Sequence, residues 1–320
     1  MAVIAKHLGL KVHYVWPSGG AMTEALWEAL KAQEAPFPGL SIVAQYLVFK
    51  EARAIGLKVM LGGQGADEAF MGYRKYLYMT LRKRDRSQGV VGDLFGLAKL
   101  IGLEFPRMIQ NLADVERYAG RIKPFLNLPV TQRDLGLSRF SQARGRQLKD
   151  VTEFSLPTLL RYEDRNSMGN SVESRLPFMD YQVIETGLAL PDRLKVRGGY
   201  CKWILRRIAD RLLPKSITKN RIKVGFDALT AEWVQGGLGE DVRLRLRQAI
   251  GSSGYQGISL PEQHFGDEVL GRKESAMCQA LTAIWLVQRG YSPQELFSGS
   301  SIPKPIKRQP PQEKVANTAG

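Results

Sequence analysis

The chain has 320 residues, 44% of them hydrophobic, and a formal net charge of +15. This length and composition exclude a collagen-like, coiled-coil or wholly disordered protein and suffice for one large or two ordinary domains. The basic residues are scattered and are not interleaved with aromatic residues. We therefore expect an enzyme with a basic surface and no specific nucleic-acid partner.

The cysteines and the hydrophobic runs indicate the cellular compartment. Cys201 and Cys278 lie far apart in the sequence and form no zinc or disulfide pattern, which fits a reducing compartment. No run approaches the roughly 18 apolar residues of a membrane span, and the chain begins without a hydrophobic segment of signal-peptide length. We therefore expect a cytoplasmic protein with no membrane partner.

The first part of the chain alternates between helical and extended patterns, as is typical of an α/β domain. Residues 2–9 read as the end of a helix, and residues 10–16 alternate as in a strand. Helices are predicted over residues 22–34 and 42–56. The apolar run 57–62 predicts a strand buried on both faces, with a glycine-rich turn after it. This order predicts a parallel sheet.

Beyond about residue 85 the strand signals fade, and helical patterns dominate. The predicted helices lie near residues 92–102, 107–120, 153–168, 181–190, 202–212, 227–235, 240–250 and 274–289. From Ser298 onward the chain is rich in Pro, Ser, Lys and Gln and buries little apolar surface. We therefore predict an α/β nucleotide-binding part over residues 1–85, a helical part over 86–297 and a disordered tail over 298–320.

The stretch LKVMLGGQGADEAFMGYRKY (57–76) is the first candidate site. Gly62, Gly63 and Gly65 allow the backbone to approach a ligand at the carboxyl end of a strand. Asp67 and Glu68 follow at a predicted helix start, where free amide groups favour an anion. Their carboxylates suit a Mg²⁺ ion that bridges to phosphate oxygens. The alternative is that both carboxylates only complement the helix dipole.

Two further stretches carry dense charge. In LLRYEDRNSMGNSVESRLPFMDYQVIE (159–185), charges of both signs beside Leu, Met and Phe predict partly buried ion pairs that hold a loop. In residues 198–229, Lys202 and Arg206 are four apart, so they share one face of a predicted helix. Two cations on one face suit phosphate binding, and a solvated basic face is the alternative.

These three stretches together resemble the glutamine-dependent asparagine synthetase family. LGGQGADEAFMGYRKY is similar to its SGEGADE(L/V)FGGYxRY segment, and RYEDRNSMGNSVESRLPFMD is similar to RxDRxSMAxSxExRxPFLD. YCKWILRRIADRLLPKSITKNRIKVGF resembles K(Y/W)xLRxAxxxxLPxxIxxRxKxGF. The motifs occur in the family's order, and the resemblance covers about residues 1–290.

The resemblance implies a fold, an activity and partners. The implied fold is an α/β, adenine-nucleotide α-hydrolase-like parallel sheet, incomplete at its amino end, followed by a mostly helical half. The implied activity is adenylation of the aspartate side-chain carboxylate with ATP and Mg²⁺, then amidation by ammonia with release of AMP and pyrophosphate. Aspartate or a similar carboxylate is the implied substrate. Ammonia would come from a glutaminase domain absent from this sequence, and the resemblance leaves room for a homodimer.

The resemblance also assigns roles to single residues. Gly62, Gly63 and Gly65 match the backbone contacts to ATP, and Asp67 matches the carboxylate that holds Mg-pyrophosphate, a role that we extend to Glu68. Lys202 matches the lysine that steadies the charged phosphates during adenylation, with Arg206 in support and Gln64 beside them as a further catalytic position. The positions expected to shape the site without reacting are Arg165, Glu173, Arg175 and Asp180.

Two departures from the family motifs keep other functions open. Gln64 stands where the motif has glutamate, and an amide neither acts as a base nor carries negative charge. Gly62 replaces the motif's serine and so removes a hydroxyl group. The alternatives are an amidotransferase or cyclising synthetase acting on another carboxylate, and a non-catalytic remnant or basic binding protein.

A third feature concerns Ser18-Gly19-Gly20, which is similar to the start of the family's SGGxDS pyrophosphate loop. It is followed by Ala21-Met22 and not by an Asp-Ser pair, so we predict only a turn before a helix. The resemblance then implies that the pyrophosphate loop is missing and that this chain alone is inactive.

Overall fold

The computed structural model describes residues 2–83, 143–221, 230–252, 270 and 274–291. These residues divide into two compact units. The first contains residues 2–33, 40–83 and 143–221, and the second contains the remaining described residues. The boundaries predicted near residues 85 and 298 lie outside the described residues, so the predicted domain division stays a prediction.

The first unit is mostly helical and carries one small parallel sheet. Its longer helices are α1 (Ala2–Leu8), α2 (Gly19–Gln33), α3 (Leu40–Ala54), α5 (Arg74–Lys83), α6 (Ala143–Lys149), α7 (Leu156–Gly169), α8 (Tyr181–Ala189) and α10 (Trp203–Ala209). Single-turn helices are α4 (Ala66–Ala69), α9 (Asp192–Lys195) and α11 (Lys215–Thr218). The strands are β1 (Val59–Leu61) and β2 (Glu173–Arg175). This composition is consistent with the expected α/β class, and the adenine-nucleotide α-hydrolase fold itself stays a prediction.

Two expectations about strands are wrong. Residues 10–16 form no strand and pair with none of the described strands, and Trp16 is 84% exposed. An alternating pattern forms a strand only when another strand satisfies its backbone groups. Of the strand predicted over 57–62, only Val59–Leu61 is a strand, β1. One face of β1 is exposed, since Val59 is 40% and Leu61 73% exposed.

The helix predictions are largely confirmed for the described residues. The helix after Ser18-Gly19-Gly20 begins at Gly19, and the Ser18 hydroxyl accepts a hydrogen bond from the Ala21 amide at 3.3 Å. The triplet leads into a helix, as predicted, but Gly19 and Gly20 already belong to that helix and form no separate turn. The extended run 172–178 contains β2. The helices predicted over 92–102 and 107–120 lie outside the described residues.

Helices α2, α3 and α7 pack against one another, and buried amides join them. The Gln33 side chain donates to the Asn166 side chain at 2.9 Å, and Asn166 Nδ2 donates to the Ile42 carbonyl at 2.9 Å. Asn166 Nδ2 also donates to Gln45 Oε1 at 3.0 Å. Because buried amides are costly unless paired, these hydrogen bonds between side chains fix the register of the three helices.

The sheet connects two distant parts of the sequence. Strands β1 and β2 run parallel, with Val59, Met60 and Leu61 opposite Glu173, Ser174 and Arg175. The pairing continues past β1, because the Gly62 amide donates to the Arg175 carbonyl at 2.8 Å. Side chains alternate along a strand, so Ser174 faces inward with Met60 while Glu173 and Arg175 face solvent. The prediction of partly buried ion pairs in residues 159–185 is wrong for Glu173 and Arg175, which pair on an exposed face.

The described residues of the second unit form helices and connecting loops, with no strand among them. The helices are α12 (Thr230–Trp233), a π-helical segment (Val234–Leu238), α13 (Gly239–Ser252) and α14 (Glu274–Gln288). Helices α13 and α14 bury a continuous apolar stripe formed by Val242, Leu246, Ala280, Leu281 and Ile284. None of the described helices in either unit is long and apolar enough to cross a bilayer.

Lys195, at the end of α9, is linked to the short helix α4 by hydrogen bonds through Gln147. Its fully buried ammonium donates to Gln147 Oε1 at 2.8 Å and to the Gly187 carbonyl at 3.1 Å. The Gln147 amide in turn donates to the carbonyls of Glu68 and Ala69 at 3.0 and 2.5 Å. Burial lowers the pKa of Lys195 from 10.5 to about 8.

This buried lysine predicts a pH dependence of stability. Below pH 8 Lys195 is protonated in both the folded and the unfolded chain. The folded chain then bears the full cost of burying a charged ammonium, which lowers its stability. Between about 8 and 10.5 the folded chain releases it first, so the unfolded state binds more protons and stability rises with pH. Urea unfolding from pH 7 to 10 should show the wild type gaining stability relative to Lys195→Met.

The matched control is Lys149→Met, which removes an exposed lysine paired with Glu153. Its stability difference from the wild type should stay constant over the same range. A pH-independent difference for Lys195→Met as well would contradict a depressed pKa at Lys195.

Candidate functional site

A cavity of about 720 Å³ lies beside the turn that follows β1. Its volume falls within the range of sites for small molecules and nucleotides. The turn supplies Gly62, Gly63, Gln64 and Asp67, and the remaining wall comes from α3, β1, β2, α7 and Tyr73. Apolar side chains make up much of that wall, namely Ile42, Val48, Phe49, Met60, Leu61 and Leu159.

The three predicted glycines of the turn differ in what they contact. A Cβ at position 62 would overlap the Glu163 carboxylate and come within 2.6 Å of Leu176 Cδ2. Gly65 has φ of +92°, and a Cβ there would lie 2.9 Å from Met179 Sδ. A Cβ at position 63 would meet no atom within 4 Å. Gly62 and Gly65 are thus required by packing and backbone conformation, while Gly63 offers open backbone to a ligand.

Asp67 and Lys202 form an ion pair at the edge of this turn. Lys202 Nζ lies 3.0 Å from Asp67 Oδ1, and both side chains remain partly accessible. The sequence placed Lys202 on a helix face, but it lies just before α10, with a left-handed backbone at φ of +54°. Non-glycine residues rarely adopt this conformation, and it often marks functional sites.

Glu68 and Arg206 lie near this pair but are engaged elsewhere. The buried Glu68 carboxylate accepts hydrogen bonds from Tyr73 Oη at 2.5 Å and Ser155 Oγ at 2.7 Å. Burial and the bond to Glu68 raise the pKa of Tyr73, which keeps this hydroxyl protonated. The Arg206 guanidinium donates to the carbonyls of Cys201, Thr218 and Asn220. The structure therefore brings Asp67 and Lys202 together, while the roles of Glu68 and Arg206 stay predictions.

The residues expected to shape the site differ in position. Asp180 caps α8 by accepting from the Gln182 amide at 2.9 Å and the Val183 amide at 3.3 Å. Glu173 and Arg175 pair on the outer face of the sheet. None of these lines the cavity, although Asp180 follows the turn Pro177–Met179 that packs on Gly65.

Sequence reasoning missed several residues of the cavity wall. Glu163 is the most informative, because its carboxylate is 4% exposed and points at Gly62. Leu159, Glu163 and Asn166 are spaced as one helix face, and that spacing would have placed the carboxylate on the buried side of α7. Ser174, Gln45 and Tyr73 also line the cavity. Among the described residues, no group of three or more His, Cys, Asp or Glu side chains forms a metal cage.

Comparison with known proteins places this geometry in context. The asparagine synthase family model matches residues 1–289. An asparagine synthetase (glutamine-hydrolysing) of Bacillus subtilis is 26% identical over 290 residues, which cover 82% of this chain and 45% of the relative. A putative asparagine synthetase (glutamine-hydrolysing) of Mycobacterium tuberculosis is 27% identical over 263 residues, covering 74% and 39%. The amidase chyE of Penicillium rubens is 25% identical over 232 residues, covering 60% and 34%. The chain spans less than half the length of each of these relatives.

The ion pair predicts a specific sensitivity at Gly72. A Cβ at this buried position would overlap Asp67 Oδ1 and Lys202 Cε, so Gly72→Ala should separate the pair. Overpacking of this kind costs about 1–3 kcal/mol, which chemical denaturation can measure. Gly63→Ala in the same turn meets no neighbour and should change stability by less than about 0.5 kcal/mol. Equal effects of the two substitutions would show that the pair tolerates the added methyl group.

Proposed function

Because this chain belongs to the asparagine synthase family, we propose that it binds ATP in the cavity beside Gly62–Asp67 and uses it to activate a carboxylate. The Asp67–Lys202 pair at the edge of a glycine-rich turn carries this proposal. Asp67 lines the cavity and pairs with Lys202, so a cation-binding carboxylate and an anion-binding ammonium lie beside the turn, where phosphates would reach the open backbone of Gly63. The apolar wall suits the adenine ring.

In the proposed reaction, a carboxylate oxygen of aspartate or a similar acid attacks the α-phosphorus of ATP. Pyrophosphate leaves, and the resulting acyl-AMP is then attacked by ammonia, which releases AMP and forms the amide. Negative charge builds on the phosphate oxygens during the first step. Lys202 offsets that charge with an ammonium already held in place by its backbone and by Asp67, so little reorganisation is needed.

Mg²⁺ is part of the proposal, and Asp67 fits it. Mg²⁺ is usually held by one or two protein carboxylates together with substrate phosphates and water, so a full protein cage is not required. Asp67 lines the cavity, whereas the Glu68 carboxylate is buried against Tyr73 and Ser155. Asp67 is therefore the residue we propose to hold the ion. When bound, Mg²⁺ would neutralise charge on the departing pyrophosphate.

Gln64 favours a second candidate function. Its carboxamide lines the cavity but cannot take a proton from an attacking amine, which makes an acceptor other than aspartate the alternative. Similarity to proteins named amidases, in Penicillium rubens and Gibberella zeae, supports the same alternative. In either case we propose ammonia from glutamine hydrolysis as the nitrogen source, since the bacterial relatives are named glutamine-hydrolysing.

Nucleotide binding and pyrophosphate exchange test this function. The wild-type chain should bind ATP with Mg²⁺ in calorimetry. It should also exchange labelled pyrophosphate into ATP when its carboxylate acceptor is present. A chain that binds ATP but exchanges no pyrophosphate would instead match the inactivity expected from the missing pyrophosphate loop. Lys202→Met should lower the exchange rate by about 10²-fold or more, the usual effect of losing one group that stabilises transition-state charge.

Lys149→Met, which removes an exposed lysine, is the matched control and should exchange at the wild-type rate. A panel of carboxylates containing aspartate distinguishes the two candidate functions by the acid that supports exchange. Failure of the wild type to bind ATP would overturn the proposal, as would measurable exchange at equal rates in the two lysine variants.

A further inference from the structure

Glu163 places a buried carboxylate inside the cavity with few donors around it. Its Oε1 accepts from Ser174 Oγ at 2.6 Å, and its Oε2 accepts only a long hydrogen bond from Gln45 Nε2 at 3.4 Å. Among the described residues, no Lys, Arg or His forms an ion pair with it. The side chain nevertheless lines the cavity and is 4% exposed.

This arrangement leaves hydrogen-bonding capacity unused. A carboxylate has about four acceptor positions, and two neutral donors occupy only some of them. A buried charge is unfavourable unless donors surround it. Hydrogen-bond donors on a ligand that enters the cavity would therefore stabilise this carboxylate.

The carboxylate is also held in place before any ligand arrives. Gln45 presents its amide nitrogen to Glu163 because its oxygen accepts from Asn166 Nδ2 at 3.0 Å. Asn166 is itself fixed by Gln33 and by the Ile42 carbonyl. On the other side Ser174 lies on β2, whose register with β1 is set by three residue pairs. Such preorganisation is expected of a binding group.

The position of Glu163 along the turn indicates which part of a ligand it meets. The carboxylate lies against Gly62, the first residue of the turn, and Ile42, Phe49 and Leu159 belong to the same wall. Lys202 pairs with Asp67 further along the turn and does not line the cavity. A phosphate chain directed at Lys202 would leave the nucleoside at the Gly62 end.

We propose that Glu163 binds the ribose hydroxyl groups of ATP. This inference rests on the proposed function and adds a specificity-determining residue to it. Vicinal hydroxyls offer two neutral donors to one carboxylate, and acidic residues bind ribose in this way at other nucleotide sites. A substrate amino acid could reach Glu163 with its ammonium, but it is the less suitable occupant, because its own carboxylate would then lie against the apolar wall without a cation.

Gly62 and Glu163 act as a pair in this proposal. A side chain at position 62 would occupy the volume that Oε1 now fills, so the absence of a Cβ creates the space for the carboxylate. The family's motif has serine at this position, and a serine Cβ would overlap this carboxylate. Gly62→Ala should therefore displace Glu163 while leaving its charge unchanged.

Calorimetric binding of four nucleotides tests the assignment. The full chain with Mg²⁺ is titrated with ATP, 2′-deoxy-ATP, 3′-deoxy-ATP and inosine triphosphate. The wild type should bind ATP about tenfold or more tightly than at least one deoxy analogue, the usual effect of a lost hydrogen bond to a charged group. Glu163→Gln should bind ATP about as weakly as the wild type binds that analogue. Glu153→Gln removes an exposed carboxylate and should behave as the wild type does.

The outcomes separate the two levels of the proposal. If the wild type binds no ATP, the proposed function fails and Glu163 loses its role with it. If ATP and both deoxy analogues bind equally to the wild type, only the Glu163 assignment fails. Loss of discrimination against inosine triphosphate in Glu163→Gln, with ribose discrimination kept, would assign the residue to the base and overturn the ribose role. Should Glu163→Gln not fold, Gly62→Ala provides the same comparison with the carboxylate charge retained.

Discussion

The parallel pairing of β1 with β2 is the contact on which the first unit depends. Three residue pairs and the Gly62–Arg175 hydrogen bond join segments that are far apart in the sequence. They place the glycine-rich turn beside α7, so that Gly62 and Glu163 can meet. Without this pairing the cavity would lack one wall, and the backbone groups of both strands would need other partners.

Buried polar side chains complete what the short sheet begins. Amides on α2, α3 and α7 align three helices, and the Lys195–Gln147 pair holds the carbonyls that end α4. Apolar packing alone tolerates small shifts, whereas a missed buried hydrogen bond is costly. These networks therefore define the relative positions of Asp67, Gly62 and Glu163 more strictly than the hydrophobic core does.

The sequence predicted the parts of the fold that depend on local patterns. Helices α2, α3, α7 and α8 follow from spacing and capping residues, and the glycine-rich turn with Asp67 follows from its motif. The exposure of β1 could not be predicted from the sequence, because an apolar run does not reveal how many strands flank it. Residues 10–16 were mispredicted because alternation says nothing about a pairing partner. Glu163 was hidden among other charges, although helical spacing indicated its buried face.

The left-handed backbone at Lys202 has a consequence for protein engineering. Glycine would adopt φ of +54° without strain, so a search for heat-tolerant variants would be drawn to this position. The same replacement would remove the ammonium that meets Asp67. Under the role proposed for Lys202, selection for stability and selection for turnover should thus choose different residues here. A screen that scores only thermal tolerance would favour variants that lack this ammonium.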